Sequence, residues 1–225
     1  MQYSHIEPAT FLARPNRFVA TVRGKGEPFA VHVKNTGRCA ELLVPGARVY
    51  LERSENPARK TPCDLVAVEK GSLLVNMDSA APNAAAKEWL AAGGLGPLGA
   101  LRAEYKLGDS RFDFYAEQAG QKMLVEVKGC TLETEGYARF PDAPTLRGLK
   151  HVNELAALAG QGWRCCVLIV IQMKGPHTFG PNWATHPAFG QALRRAVAAG
   201  VQLLAYDCRV TPKSMALDQP VQVEL

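Results

Sequence analysis

Long apolar runs are missing from this 225-residue chain. Its most apolar stretch, "CCVLIVI" at 165–171, falls far short of the ~20 residues that span a bilayer, so no membrane partner is expected. The N-terminal "MQYSHIEPATFLARPNRF" has no basic region followed by an apolar core and a small-residue cleavage site. No signal peptide is read, and a cytoplasmic address is expected. The cysteines, at 39, 63, 130, 165, 166 and 208, form no CxxC pair and no regular framework. That argues against zinc-ribbon and disulfide scaffolds and points to reduced, mostly buried thiols. The histidines include no HExxH, and neither GxSxG nor a full P-loop occurs, so three common kinds of hydrolytic or nucleotide site lack support. No helix-turn-helix, internal repeat or low-complexity segment is evident either.

What is present suits an ordinary globular protein. Apolar residues make up 47% and charged residues 21%, and the length allows one large domain or two small ones. The formal charge of +5 tilts only mildly toward a polyanionic partner. Up to about residue 80 the pattern is of short strands: "RFVATVRG", "PFAVHVKN", "ARVYLERS", "CDLVAVEKG" and "SLLVNM", separated by Gly, Pro and Asn. Phe29, Val31 and Val33 alternate with Ala30, His32 and Lys34, as in half-buried antiparallel strands. Five such strands suit a small barrel of the oligonucleotide/oligosaccharide-binding (OB) type, although a small sandwich produces the same pattern. The texture then changes. A helix is expected at about 82–92, then a hairpin, a helix at about 144–160, the strand "RCCVLIVIQM", a helix at about 187–199 and the strand "VQLLAYDC". The expected fold class is therefore α/β (α+β overall), with residues 1–80 an antiparallel β-barrel and residues 81–225 an α/β part with a mixed sheet.

The stretch "RFDFYAEQAGQKMLVEVKG" at 111–129 carries the functional question. Period-two alternation puts Glu126 and Lys128 on one face and Val125 and Val127 on the other, and sets Phe112 and Phe114 together opposite Asp113. With "EQAG" as the turn, Asp113 comes near Glu126 on the side away from the core. Two neighbouring carboxylates repel unless a cation lies between them, and Mg²⁺ or Mn²⁺ takes such oxygen ligands while leaving places for water and phosphate. Lys128 then holds a phosphate and orients the attacking water, the outline of metal-assisted phosphodiester hydrolysis. The same spacing also fits solvated cross-strand pairs with no catalytic role.

Glu104 is a candidate further carboxylate for the metal, or a surface acid pairing with Arg102 or Lys106. In "FPDAPTLRGLKHVNELAAL", Thr145 falls in the expected N-cap region, with Arg147, Lys150, His151 and Glu154 at helical spacing. This face suits a phosphate backbone, or is a solvated face opposite Leu146, Leu149, Val152 and Leu155. Arg111, opening the first hairpin strand, is a further nucleic-acid-contacting candidate. So is Arg38, beside the turn at Asn35, Thr36 and Gly37.

The segments "NTGRCAELLVPGARVYL", "VNMDSAAPN", "SRFDFY", "LVEVKGCTL" and "ARFPDAPTLRGLKHVNEL" together resemble the sugar fermentation stimulation protein A family, over nearly the whole chain. The resemblance implies an OB-type barrel followed by a PD-(D/E)xK nuclease-like domain. It carries the metal and catalytic roles to Asp113, Glu126 and Lys128, with Glu104 as an additional acid. Gly129 and Cys130 depart from the common family residues after the lysine, and Gly129 is expected to loosen the strand end. The resemblance implies either a metal-dependent DNA or RNA nuclease or a non-cleaving DNA-binding regulator of maltose utilisation. Whether the chain is a monomer or a homodimer is left open.

Overall fold

Strands that bury alternate residues build the first third of the molecule, and the computed structural model describes residues 1–225. In chain order these are β1 (Ile6–Asn16), β2 (Val19–Arg23), β3 (Phe29–Val33), β4 (Arg48–Arg53), β5 (Cys63–Lys70) and β6 (Leu73–Asn76). Antiparallel pairings β3-β2-β1-β4-β5 are closed by a parallel pairing of β3 with β5, giving a five-stranded barrel. Its interior is filled from every wall by residues such as Phe11, Val22, Val31, Val49 and Leu65, each at most 1% exposed.

The barrel's membership differs from the expectation. β1 runs through the N-terminal segment that was not read as a strand, and "SLLVNM", expected as the fifth barrel strand, is β6, which pairs with β5 outside the closed ring. The reason is local: Pro8 and Pro15 disguise β1, and only Ala9 and Phe11 of its eleven residues are buried. Its pairing with β2 shifts register twice, which bends it around the barrel.

The remainder comprises α1 (Ala81–Ala91), β7 (Leu101–Leu107), β8 (Ser110–Gln118), β9 (Gln121–Cys130), β10 (Leu132–Thr134), β11 (Tyr137–Phe140), α2 (Leu146–Ala159), β12 (Arg164–Ile171), β13 (Thr178–Pro181), α3 (Pro187–Ala198), β14 (Gln202–Thr211), β15 (Ser214–Pro220) and β16 (Gln222–Val223). The three helices fall where expected. The main sheet has the order β15-β14-β12-β9-β8-β7, with β9, β12 and β14 parallel and the rest antiparallel, so it is mixed. β7 is an edge strand with no fully buried residue; it was not expected, although Leu101, Ala103, Tyr105 and Leu107 alternate with Arg102, Glu104 and Lys106 as in a half-buried strand. A small second sheet, β10-β11-β13-β16, was also not anticipated from its two- to four-residue strands.

Both faces of the main sheet are covered. On one side Phe114, Val125, Val127, Cys166 and Leu168 pack with Ala85, Ala86 and Leu90 of α1. On the other, Phe112, Leu124, Val167 and Ile169 pack with Val152 and Leu155 of α2 and Phe189 and Leu193 of α3. All six cysteines are free and buried, as the spacing suggested. No helix is long and apolar enough to cross a membrane.

Candidate metal centre and the clefts around it

The β8–β9 hairpin positions the three candidate residues. Its turn is tighter than expected: Gln118 pairs with Gln121, leaving Ala119 and Gly120 as the two turn residues, both at positive φ (50° and 78°). A two-residue turn of this hand matches the twist of paired strands. The ladder runs from there to Phe114 opposite Val125 and stops before Asp113. Asp113 instead inserts its own carboxylate: Oδ2 accepts the Val127 amide at 2.7 Å, and Oδ1 accepts from Nδ2 of Asn83, on α1, at 2.7 Å. The strand changes parity here, so Phe112 and Phe114 lie in different apolar clusters and do not share a face as expected.

Glu126 and Lys128 do share a face, and Val125 and Val127 share the other. That face is not solvent. Glu126 is 2% exposed, lying beneath α2, so the expectation of a site on the side away from the core is corrected. It is buried because a helix covers each side of the sheet. Lys128 Nζ and His151 Nδ1 both bond the same Glu126 oxygen, Oε1, the histidine at 2.5 Å. The histidine nitrogen must be the donor, since a carboxylate only accepts. Burial, the largest single influence, pushes the Glu126 carboxyl upward, but the His151 hydrogen bond and the Lys128 charge outweigh it and hold the group below its ordinary range. Asp113 moves the other way: burial and then the charge of Glu126 raise it, against the Val127 amide, Lys128 and Asn83. Glu126 Oε2 is buried with no hydrogen-bond partner.

The remaining candidates divide. Glu104 stands on the edge strand, 62% exposed in its side chain and 3.4 Å from Arg111, in contact with neither Asp113 nor Glu126. Its partner is Arg111 rather than Arg102 or Lys106. Arg111, Arg147, Lys150 and His151 are brought together around one cationic cleft of about 420 Å³, which Asp109, Ser110 and Leu146 complete. His151 is its buried floor, 4% exposed, rather than an outward-reaching contact. Thr145 caps α2, its Oγ1 accepting the Gly148 amide at 3.0 Å. Lys150 pairs with Glu154 at 3.6 Å. Leu146 is 79% exposed and does not join the apolar face with Val152 and Leu155.

Arg38 lies elsewhere, donating to the main-chain oxygen of Asp142 at 2.8 Å and so tying the β3–β4 loop to the segment before α2. Arg14, which the sequence did not single out, holds that loop by donating to the carbonyls of Asn35, Gly37 and Arg38. Asn83 was also missed, although it lies in the quoted segment "VNMDSAAPN"; a polar residue in the first turn of a helix usually marks a cap. Gly129 does not loosen the strand end. A Cβ there would collide with Gln172 Oε1 and Pro82 Cγ, so the position requires glycine for close packing.

Residues 12–77 match the family model described as "SfsA N-terminal OB domain", and residues 80–214 match "Sugar fermentation stimulation protein RE domain". A sugar fermentation stimulation protein homolog from Desulfitobacterium hafniense is 48% identical over 225 residues, covering 100% of this chain and 99% of that protein. Another, from Ruminiclostridium cellulolyticum, is 46% identical over 226 residues, covering 100% of both. The solved structure of Pyrococcus furiosus SfsA in complex with Ca²⁺ superposes with a TM-score of 0.90 at 27% identity, covering 100% of this chain and 98% of that one. With both segments matched and relatives nearly half identical along the full length, the chain belongs to the sugar fermentation stimulation protein family.

Proposed function

We propose that this protein is a divalent-metal-dependent nuclease that hydrolyses phosphodiester bonds in DNA or RNA, with a PD-(D/E)xK-like centre on the β8–β9 hairpin. The observation that carries this reading is the convergence of half-buried Asp113 and Lys128 on buried Glu126, with Glu126 held ionised and its Oε2 left without a partner. An orphaned carboxylate oxygen is costly in a protein interior, and a cation beside it removes the cost.

The donor set fits a hard ion. No group of three or more His, Cys, Asp or Glu side chains is assembled, so the site is not a zinc cage. Two carboxylates suit Mg²⁺ or Mn²⁺, which keep water and phosphate oxygens in their other positions. Asp113 and Glu126 would hold the ion; the Ca²⁺ complex of the Pyrococcus relative is in keeping with that. Once bound, such an ion supplies positive charge at the phosphoryl oxygens and acidifies a coordinated water.

The chain's own groups do the rest. The Lys128 ammonium, its side chain 15% exposed, stands beside Glu126 and can meet a non-bridging phosphate oxygen, stabilising charge that grows there during hydrolysis. Asn83 and the Val127 amide fix Asp113, and His151 fixes Glu126. Arg111, Arg147 and Lys150 would seat flanking phosphates in the cationic cleft.

The test is cleavage of labelled single- and double-stranded DNA and RNA with Mg²⁺, with Mn²⁺ and with chelator. Cleavage that chelator abolishes, reduced about 100-fold or more in Asp113→Asn and in Lys128→Ala, is the expected result. Tight binding without cleavage under either metal would overturn it and leave a non-cleaving DNA-binding regulator.

A further inference from the structure

A second cleft, of about 400 Å³, opens between the barrel and the α/β part at the carboxyl ends of β9 and β12. Thr36 and Gly37 line it from the barrel, and Gly129, Thr131, Asp142 and Gln172 line it from the other side. Its size falls in the range of about 300–1,000 Å³ that holds small molecules or single groups of larger ones. Bare main chain forms part of the wall. A Cβ on Gly37 would lie 2.5 Å from Asp142 Oδ2, and one on Gly129 would collide with Gln172.

The exposed chemistry is that of acceptors. Gln172 is only 2% exposed, and its Nε2 is committed to the Asn76 carbonyl (3.0 Å), Asn76 Oδ1 (3.2 Å) and the Asp78 carbonyl (3.2 Å). Those three acceptors fix the amide's orientation and leave Oε1, which no donor in the chain meets, on the cleft side beside Gly129. Thr131, 8% exposed, has a hydroxyl with no partner in the chain. The Asp142 carboxylate is paired with no cation, because Arg38 binds the Asp142 main-chain oxygen instead. No lysine or arginine lines the cleft.

We propose that this cleft receives the base of an unpaired nucleotide, so that the substrate class is single-stranded nucleic acid rather than duplex. The inference rests on the reading of the chain as a nucleic-acid enzyme. A phosphate would be repelled by Asp142 and find no cation, whereas the two N–H donors of a base's amino group suit Gln172 Oε1 and Asp142, and the Thr131 hydroxyl can donate to a ring nitrogen or carbonyl beside it. A paired base cannot offer its Watson–Crick edge; an unpaired one can, and the Phe140 ring among the lining residues offers it an apolar surface. The cationic cleft meanwhile takes the backbone. The two clefts are lined by consecutive residues at the start of α2, Thr145 in one and Leu146 and Arg147 in the other. Acceptors at the base edge favour cytosine, adenine and guanine, which carry amino groups, over thymine and uracil, which do not.

The experiment is fluorescence anisotropy with short labelled DNA and RNA strands and their duplexes, in Ca²⁺ and in chelator, for the wild type, Thr131→Val and Asp142→Asn. Melting temperatures serve as the folding control. Single strands are expected to bind about tenfold or more tighter than duplex, and cytosine runs tighter than thymine runs. Both variants should lose most of these preferences while holding duplex as the wild type does. Equal affinity for strand and duplex, or preferences unchanged in both folded variants, overturns the proposal. Cleavage in Mn²⁺ is scored apart: cutting without strand preference removes this inference alone, and strand preference without cutting removes the nuclease reading alone.

Discussion

Glu126 lies between two donors on one of its oxygens, with its other oxygen bare, and its ionised state depends on His151 and Lys128 together. Removing His151 leaves the carboxylate less firmly oriented and less stably charged. His151→Ala should therefore weaken Mn²⁺ binding about 10- to 100-fold, measured by titration calorimetry, with His151→Asn restoring part of it by returning a donor. Unchanged metal affinity would refute this positioning role. Asp64, in the barrel, is bonded by Arg59 at 3.0 Å and by His32 at 3.0 Å. Burial raises its carboxyl, but Arg59 and His32 together hold it below its ordinary range. A depressed carboxylate contributes stability above its unfolded value of about 3.9, and that stability is lost as pH falls through the lower folded value. Asp64→Asn should cost about 1.5–3 kcal/mol at pH 7 and show a shallower loss below pH ~4 in denaturant titrations. A parallel acid limb would refute the assignment. The pairing of Glu126 with Lys128 was legible at this scale from strand period alone. The parity change at Asp113, the burial of Glu126 and the His151 contact were not, because each needs a neighbour distant in sequence.

Among the elements, α2 and its cap contribute walls to both clefts and cover the site, so its first turn matters more than its length. Thr145 satisfies the Gly148 amide there. Thr145→Ala should destabilise the protein by about 1 kcal/mol in urea titrations, since one helix donor loses its partner. A change within about ±0.5 kcal/mol, the usual range for a neutral surface site, would show that the cap is idle. Helices α1, α2 and α3 were legible because each has a periodic apolar face and start or stop residues. Strand β7 was passed over although Leu101, Ala103, Tyr105 and Leu107 alternate with Arg102, Glu104 and Lys106, and β1 was hidden by its prolines. Gly129 was misread for a related cause. A glycine in a strand looks like weakness until the side chain above it, Gln172, is known.

Across the whole molecule, a single cluster of 36 buried apolar residues runs from the barrel interior, through Val33, Leu65 and Met77, to Phe112, Val167 and Phe189 of the α/β part. The junction is also hydrogen-bonded: the Asn76 amide donates to the Gln172 carbonyl at 2.8 Å, and Gln172 Nε2 returns bonds to Asn76 and Asp78. Such a junction couples the two parts, so calorimetry should show one cooperative transition with equal calorimetric and van't Hoff enthalpies. Two resolved transitions would show that the barrel melts independently.

The amino-acid order by itself determined the change of texture near residue 80, the three helices, the buried thiols and the pairing of an acid with a lysine on one strand face. These depend on local periodicity, which a strand or helix expresses wherever it is placed. Only the tertiary structure decided which strands close the barrel, that Glu126 is buried beneath α2, that Arg111, Arg147, Lys150 and His151 share one cleft, and that Gln172 and Asp142 share another. Those facts arise from long-range packing. Closing the barrel and covering both sheet faces bring together residues about a hundred positions apart, and no period in the sequence records that distance.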